Sequence, residues 1–329
     1  LLMAPALRLR LPPIPSLIRS LMLMLMVMLS LAPARHARAD IIVLASDDKG
    51  AVAAATGALQ AAYGGRVTTY NLGGNRVREA DIVNAIHASP VSQVVAVGLL
   101  AAQVARQRLD EKQVVFCQVL NVEESHLIAP WMKGVSGIPS LTRQFAAWKT
   151  LDPGLRRIGL ITGRHASYMV GEAALAARSL GLELDHVAVA SDRAVLPALQ
   201  ELRERRIHGL WLAPDSTILS QRTIFDLMAY SVRHNLPVLA FSPALLKEGA
   251  LLAATADTRE IAGLTLERLR RAGGAASGAA NGAASGAANM VPGEALEPLA
   301  EARITINAAA AARFGLTISP KLKEQADVQ

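Results

Sequence analysis

Beyond Asp40 the chain alternates short, nearly continuous apolar runs with longer stretches whose apolar residues recur at helical spacing. The runs Ile41–Ala45, 66–72, 94–99 and 114–119 read as strands. A second series follows at 157–162, 184–190, 209–213, 237–241 and 251–255. Val, Ile and Leu in unbroken runs mark strands buried on both faces, and such strands build parallel sheets covered by helices. Two blocks of β-α repeats therefore predict an α/β fold of two doubly wound, parallel-sheet lobes.

The break between the blocks falls at 132–139, where extended residues mix with turn formers; this segment is expected to cross between lobes. Ser140 then caps a helix to about Thr150, and Asp152-Pro153-Gly154 stops it. The first lobe is expected over 40–138 with about 256–292, and the second over 139–255 with about 293–329. Residues 272–289 hold five glycines and nine alanines in eighteen positions, and are expected to form a flexible low-complexity loop. After it, 303–307 reads as a strand and 308–314 as a short helix ended by Gly315.

With 329 residues, 52% of them hydrophobic and 19% charged, the chain is long and apolar enough for two folded lobes. A net charge of +7 invites a nucleic-acid reading, but Arg8, Arg10, Arg19, Arg35 and Arg38 all lie ahead of the first acidic residue, Asp40. Without them 29 basic residues face 27 acidic ones, a surplus of two, so no nucleic-acid partner is expected. Those first 39 residues divide into a basic start, an apolar Leu/Met run over 21–32, and Ala37-Arg38-Ala39 with small residues where a signal peptidase reads. The apolar run is about 12 residues, against the roughly 20 a spanning helix needs. Residues 1–39 are thus expected to be a signal peptide, removed between Ala39 and Asp40 to leave a soluble periplasmic protein. Cys117 is the sole cysteine, so no intramolecular disulfide can form, and in its apolar run it reads as a small buried hydrophobe.

The motifs of catalysis and cofactor binding are missing. Histidines are scattered without i,i+4 pairs or a cysteine partner, so no metal site is expected. Gly73-Gly74 lacks dinucleotide-fingerprint spacing, and neither a phosphate loop nor a nucleophile elbow occurs. No catalytic residue and no cofactor are assigned, and the chain is not expected to be an enzyme. What remains is a set of polar loops at the carboxyl ends of the strands, where open α/β sheets bind ligands. These supply the candidate ligand-binding residues Ser46, Asp47, Gly98, Leu99, Gln118, Thr162, Ser167, Tyr168, Asp215, Ser216 and Phe241. Ser46 and Ser167 could equally cap the helices that follow them. Asp215 is the sharpest candidate: it ends the apolar run Gly209-Leu210-Trp211-Leu212-Ala213, ahead of a helix expected near Ile218, and a carboxylate there can hold a ligand ammonium.

Three stretches carry a family resemblance: 210–220 (LWLAPDSTILS), 236–250 (LPVLAFSPALLKEGA), and the ending Ile304-Thr305-Ile306-Asn307 with Phe314-Gly315-Leu316-Thr317-Ile318. With Val135-Ser136-Gly137-Ile138-Pro139 at the crossover, they resemble the substrate-binding proteins of ABC transporters, in the group that includes tryptophan/tyrosine-type binding proteins. The resemblance implies a type I periplasmic-binding fold whose lobes close on a small ligand, with an ABC permease and ATPase as partners. It implies that Asp215 and Ser216 meet the ligand's ammonium end, with Gly98, Leu99 and Gln118 on first-lobe loops facing it. One departure stands out: where the family often has an Asp-Pro pair after the fourth strand, this chain has Leu120-Asn121-Val122-Glu123-Glu124.

The expected function is a monomeric periplasmic solute-binding protein for a small polar metabolite, with an amino-acid-like ligand as the narrower expectation. The alternatives are a ligand-sensing partner of a membrane receptor and, less favoured, an exported enzyme. A sugar ligand fits poorly with 4% aromatic residues, Tyr168 being the main exception near the cleft. Intact-mass analysis of exported material is expected to find a chain beginning at Asp40; recovery of the uncleaved chain from membranes would overturn the leader assignment.

Overall fold

The computed structural model describes residues 40–120, 122–278 and 295–329; the expected leader and residues 279–294 of the Ala/Gly-rich segment lie outside the described residues. The first sheet contains β1 (Ile41–Ala45), β2 (Val67–Asn71), β3 (Gln93–Val97), β4 (Gln113–Cys117), β5 (Met132–Val135) and, from much later in the chain, β11 (Leu296–Glu297). Their spatial order is β11-β5-β4-β3-β1-β2, every pair parallel. Unbroken apolar runs are what such a sheet requires, because neighbouring residues serve opposite faces. Ile42 and Leu44 pack with α2 (Glu79–Ala88) and α3 (Leu99–Arg108). Ile41 and Val43 pack with α1 (Gly50–Ala62) and α8 (Thr258–Gly278) on the other side.

The second sheet contains β6 (Arg157–Gly163), β7 (Glu183–Val189), β8 (Gly209–Leu212), β9 (Val238–Ala240), β10 (Leu252–Thr255), β12 (Arg303–Ile306) and β13 (Ala326–Val328). The order is β13-β12-β10-β9-β8-β6-β7, and only the β10–β12 pair is antiparallel among the described strands. One face is covered by α4 (Leu141–Leu151) and α5 (Ser167–Ser179), with Phe145 edge-on to Trp211 at a centroid distance of 5.5 Å. The other carries α6 (Val195–Glu204) and α7 (Gln221–Arg233). Ser140 and Ser220 cap α4 and α7, their hydroxyls accepting from Arg143 N and Thr223 N. Asn307 does the same for α9 (Ala308–Arg313), and α10 (Pro320–Gln325) leads into β13.

Three segments join the sheets: residues 136–140, 256–257 and 298–302. They are tied to one another and to the first lobe. Ser136 N donates to Glu297 O at 2.8 Å, Ser140 N to Glu301 O at 3.0 Å, and the Glu260 carboxylate at the start of α8 accepts from Ala300 N at 2.6 Å. The buried Arg268 guanidinium donates to Glu297 at 2.7 Å, clamping α8 to β11.

The structure departs from the sequence pattern at three places. Residues 132–135 are strand β5 rather than part of the crossover, because Gly134 lets the backbone lie against the Phe116 ring opposite it. The Ala/Gly-rich segment is helical through Gly278, as α8 extends into 272–278 despite the three glycines there, against the expected loop. Leu296–Glu297 joins the first sheet, so the chain enters the second sheet at Arg303 rather than near 293. Among the described residues no helix is long and apolar enough to cross a membrane.

A Cβ on Gly134 would overlap Phe116, which is fully buried. Gly134→Ala is therefore expected to cost about 1–3 kcal/mol in urea unfolding, through overpacking. Gly57→Ala, on the exposed side of α1 with open space around it, is expected to gain up to about 1 kcal/mol. Equal effects from the two would contradict the packing assigned to β4 and β5.

Candidate functional site

The carboxyl ends of β4, β6, β7 and β8 face a cavity of about 350 Å³ between the two sheets. β4 ends at Cys117, and Gln118 turns the chain with φ of +57°, a left-handed conformation costly for a residue with a side chain. That turn aims Val119–Leu120 and the Val122-Glu123-Glu124 stretch into the cavity wall, joined by Ile128 and Ser136. On the facing side the wall is made by Gly163, Arg164, His165, Ala166, Tyr168 and Met169 after β6, Val189–Ala190 after β7, and Asp215, Thr217 and Ile218 after β8. Ile138 from a joining segment, and Ala295 and Leu296 at the start of β11, complete it. Most of this surface is aliphatic, with charge confined to a few named groups.

Asp215 organises the second-lobe side. It is buried, and its Oδ2 accepts from Gly163 N at 2.8 Å while Oδ1 accepts from Thr217 N at 3.0 Å and Thr217 Oγ1 at 2.6 Å. One carboxylate thus ties the end of β6 to the loop after β8. Gly163 is needed for that approach, because a Cβ there would overlap Thr217 Oγ1 and crowd Asp215. Next to it the fully buried Thr162 hydroxyl donates to Gly163 O at 2.9 Å and bonds His186 Nε2 at 2.8 Å. Burial pushes the His186 imidazole below its ordinary pKa, which favours its neutral form beside Thr162.

The two sides touch through Glu123. Its Oε2 accepts from Tyr168 N at 2.8 Å, placing a first-lobe carboxylate on the N-terminal turn of α5. Helix N-termini favour negative charge there through their free N–H groups and dipole. Tyr168, half-buried, has its phenol pushed above its usual pKa by burial first and by Glu172 and Glu123 second.

Of the residues singled out in the sequence, Tyr168 and Asp215 line the cavity, and Ser167 lines an adjoining recess with Glu123, Glu124, His126, Arg164 and His165. The others lie off the wall. Ser46 Oγ accepts from Ala101 N at 2.9 Å at the start of α3. It packs against Gly98, whose φ of +88° and lack of a Cβ allow that approach. Asp47 Oδ1 accepts from Lys49 N at 2.9 Å. Thr162 is buried behind Gly163, Phe241 packs beside the second-lobe core, and Leu99 and Ser216 are exposed. Gln118 contributes its backbone turn. The helix expected near Ile218 begins at Gln221 with Ser220 as its cap, so helix capping does not explain Asp215. The sequence candidates leave out Glu123, Glu124, Arg164 and His165, all on the wall; for the first two, the departure after the fourth strand was the available signal. Among the described residues no cluster of His, Cys, Asp and Glu is disposed to hold a metal ion. Cys117 is buried in the core of the first lobe and its thiol is pushed up to about 12 by that burial, which keeps it protonated and inert.

A family model described as ABC transporter substrate binding protein matches residues 65–271. Among solved structures, an ABC domain in complex with L-Trp from Streptococcus pneumonia is 17% identical, with a TM-score of 0.56 over 88% of this chain and 100% of that one. A conserved domain protein from Vibrio cholerae is likewise 17% identical, with a TM-score of 0.55 over 88% and 99%. A ligand-free, open substrate binding protein with adhesive properties from Clostridium difficile is 14% identical, with a TM-score of 0.62 over 88% and 99%. At these identities the likeness is one of fold. No curated protein matches the sequence.

Replacing Asp215 tests its structural work directly. In Asp215→Asn the amide oxygen can serve only one of the two loops, and the NH₂ group meets the other's N–H donors. A loss of about 1–3 kcal/mol in unfolding free energy is expected without any ligand present. Unchanged stability would show that the bonds to Gly163 and Thr217 contribute nothing net.

Proposed function

We propose that this chain, which belongs to the ABC transporter substrate binding protein family, captures a small amine-bearing metabolite between its lobes outside the cytoplasm and hands it to an ABC permease and ATPase. The family itself is one of binding proteins, and a small ligand and a transporter follow from membership. The observation that carries the narrower reading is the position of the cavity: its walls come from strand-end loops of both sheets. A ligand that carries an ammonium group, the part an amine shares with an amino acid, is in keeping with the L-Trp bound by the pneumococcal neighbour.

The mechanism follows from that geometry. Residues 40–120, 122–135, 258–278 and 296–297 form one lobe in this reading, and residues 141–255 with 303–329 the other. A ligand touching Val119–Leu120 on one side and Met169 or Ile218 on the other completes its contacts only when the lobes are together. Its affinity is then higher for the closed state, and that difference shifts the open–closed balance. Residues 136–140, 256–257 and 298–302 take up the rotation. Asp215 presents negative charge to the ligand's ammonium while its hydrogen bonds hold the loops in place. Tyr168 and Met169 offer an apolar surface to the rest of the molecule.

A thermal-shift screen of amines, amino acids and other small metabolites on the mature chain tests the reading. A true ligand at a hundred times its Kd adds about 2.7 kcal/mol of stability, which raises Tm in proportion to the logarithm of its concentration. Leu120→Trp, which fills the cavity from an exposed wall position, is expected to abolish that shift and leave the ligand-free Tm unchanged. A shift that survives this substitution, or none from any compound, would overturn the assignment of this cavity.

A further inference from the structure

The charges on the cavity wall specify more than the presence of a ligand. Among the described residues three carboxylates line it: Glu123 and Glu124 from the first lobe and Asp215 from the second. Arg164 supplies the one guanidinium of that described wall, and even with a protonated His165 counted, negative charge stays in excess. This holds whatever hydrogen bonds those groups make, because a carboxylate that accepts N–H bonds keeps its charge. Both lobes contribute acid, so a cation between them is attracted from either side as they close. A narrow cleft with aliphatic walls concentrates that field.

The place where an anionic group would otherwise dock is already partly taken by a carboxylate of the chain. α5 opens on the cavity with its N-terminal turn, the kind of position that holds carboxylates and phosphates. Here the Tyr168 N–H donates to Glu123 Oε2 at 2.8 Å. A ligand carboxylate arriving at that turn would have to displace one already tethered to the chain, and would bring a further negative charge beside Glu123 and Glu124. An amine brings the wall nearer to neutrality; a zwitterion leaves its balance unaltered, and an acid worsens it.

Resting on the assignment of this cavity as the ligand site, we propose that it selects organic cations, amines or guanidines on an apolar body without a carboxylate, over amino acids and organic acids. The apolar body answers the aliphatic walls, with Ile128 and Leu120 on one side and Met169 and Ile218 on the other. Glu123 acts in two ways: it sets the sign of the site, and it blocks the helix terminus that would have favoured the opposite sign.

Calorimetric titration of the mature protein with two matched sets separates the possibilities. One set is tryptamine, tryptophan and indole-3-propionate; the other is isoamylamine, leucine and 4-methylpentanoate. In at least one set the amine is expected to bind roughly tenfold or more tighter than its amino acid, because it forms the charge-assisted hydrogen bond without bringing a repelled carboxylate. The acid is expected to give no measurable heat. Amine affinity is expected to fall as salt rises, and the pair Glu123→Gln with Glu124→Gln is expected to bring amine and amino acid to within threefold. An amino acid or acid that binds as well as its amine overturns charge selection yet leaves capture in this cavity standing. Failure of both amines, while a zwitterion, an acid or a neutral compound gives a shift that Leu120→Trp abolishes, overturns the proposal alone. A binder indifferent to Leu120→Trp removes the cavity assignment as well.

Discussion

In a parallel sheet every strand leaves at the same edge, and that constraint gathers the site. β4 ends at Cys117 and β8 begins only at Gly209, yet the loops that follow β4, β6, β7 and β8 meet around one cavity. The apolar runs that make the strands parallel and doubly covered are thereby responsible for where polar groups can stand. Polar residues are excluded from the sheet interiors and accumulate at the carboxyl ends, where the helices begin and backbone N–H groups are free to bind.

The second sheet adds a rigid floor. Asp215 accepts from Gly163 N, Thr217 N and Thr217 Oγ1, and the bonds of Thr162 to Gly163 O and His186 lie directly behind it. A buried carboxylate with these partners holds two loops in one arrangement, so its charge is presented at a fixed point. The first-lobe side is held differently. The left-handed turn at Gln118 and the reach of Glu123 to Tyr168 N set its loop, and Glu123 is exposed. One side is tied by buried bonds, the other by a single bond that runs from one lobe to the other.

Much of this was legible in the order of residues. The doubly covered strands announce themselves as unbroken Val/Ile/Leu runs, and Asp215 as an acid directly after one of them. Strands β5, β11 and β13 were not legible, because Met132–Val135, Leu296–Glu297 and Ala326–Val328 are short segments defined by their partners rather than by local pattern. Ser46 and Gly98 follow strands as Asp215 does, but the hydroxyl of Ser46 accepts from Ala101 N and the missing Cβ of Gly98 makes room for it. Position after a strand identifies the right edge of a sheet; which polar atoms point outward depends on the backbone N–H groups within their reach. Glu123 is hidden in the sequence for the opposite reason, since a carboxylate in a polar loop looks solvated until the N-terminus of α5 is brought to it from the other lobe.

Central to the proposed function is that ligand binding and lobe closure are one event. Small-angle scattering of the chain from Asp40 onward, with and without a saturating ligand from the screen, tests it most directly. Closure predicts a lower radius of gyration with ligand, and no such change in Leu120→Trp. A radius of gyration that stays the same while calorimetry shows the site filled would contradict it.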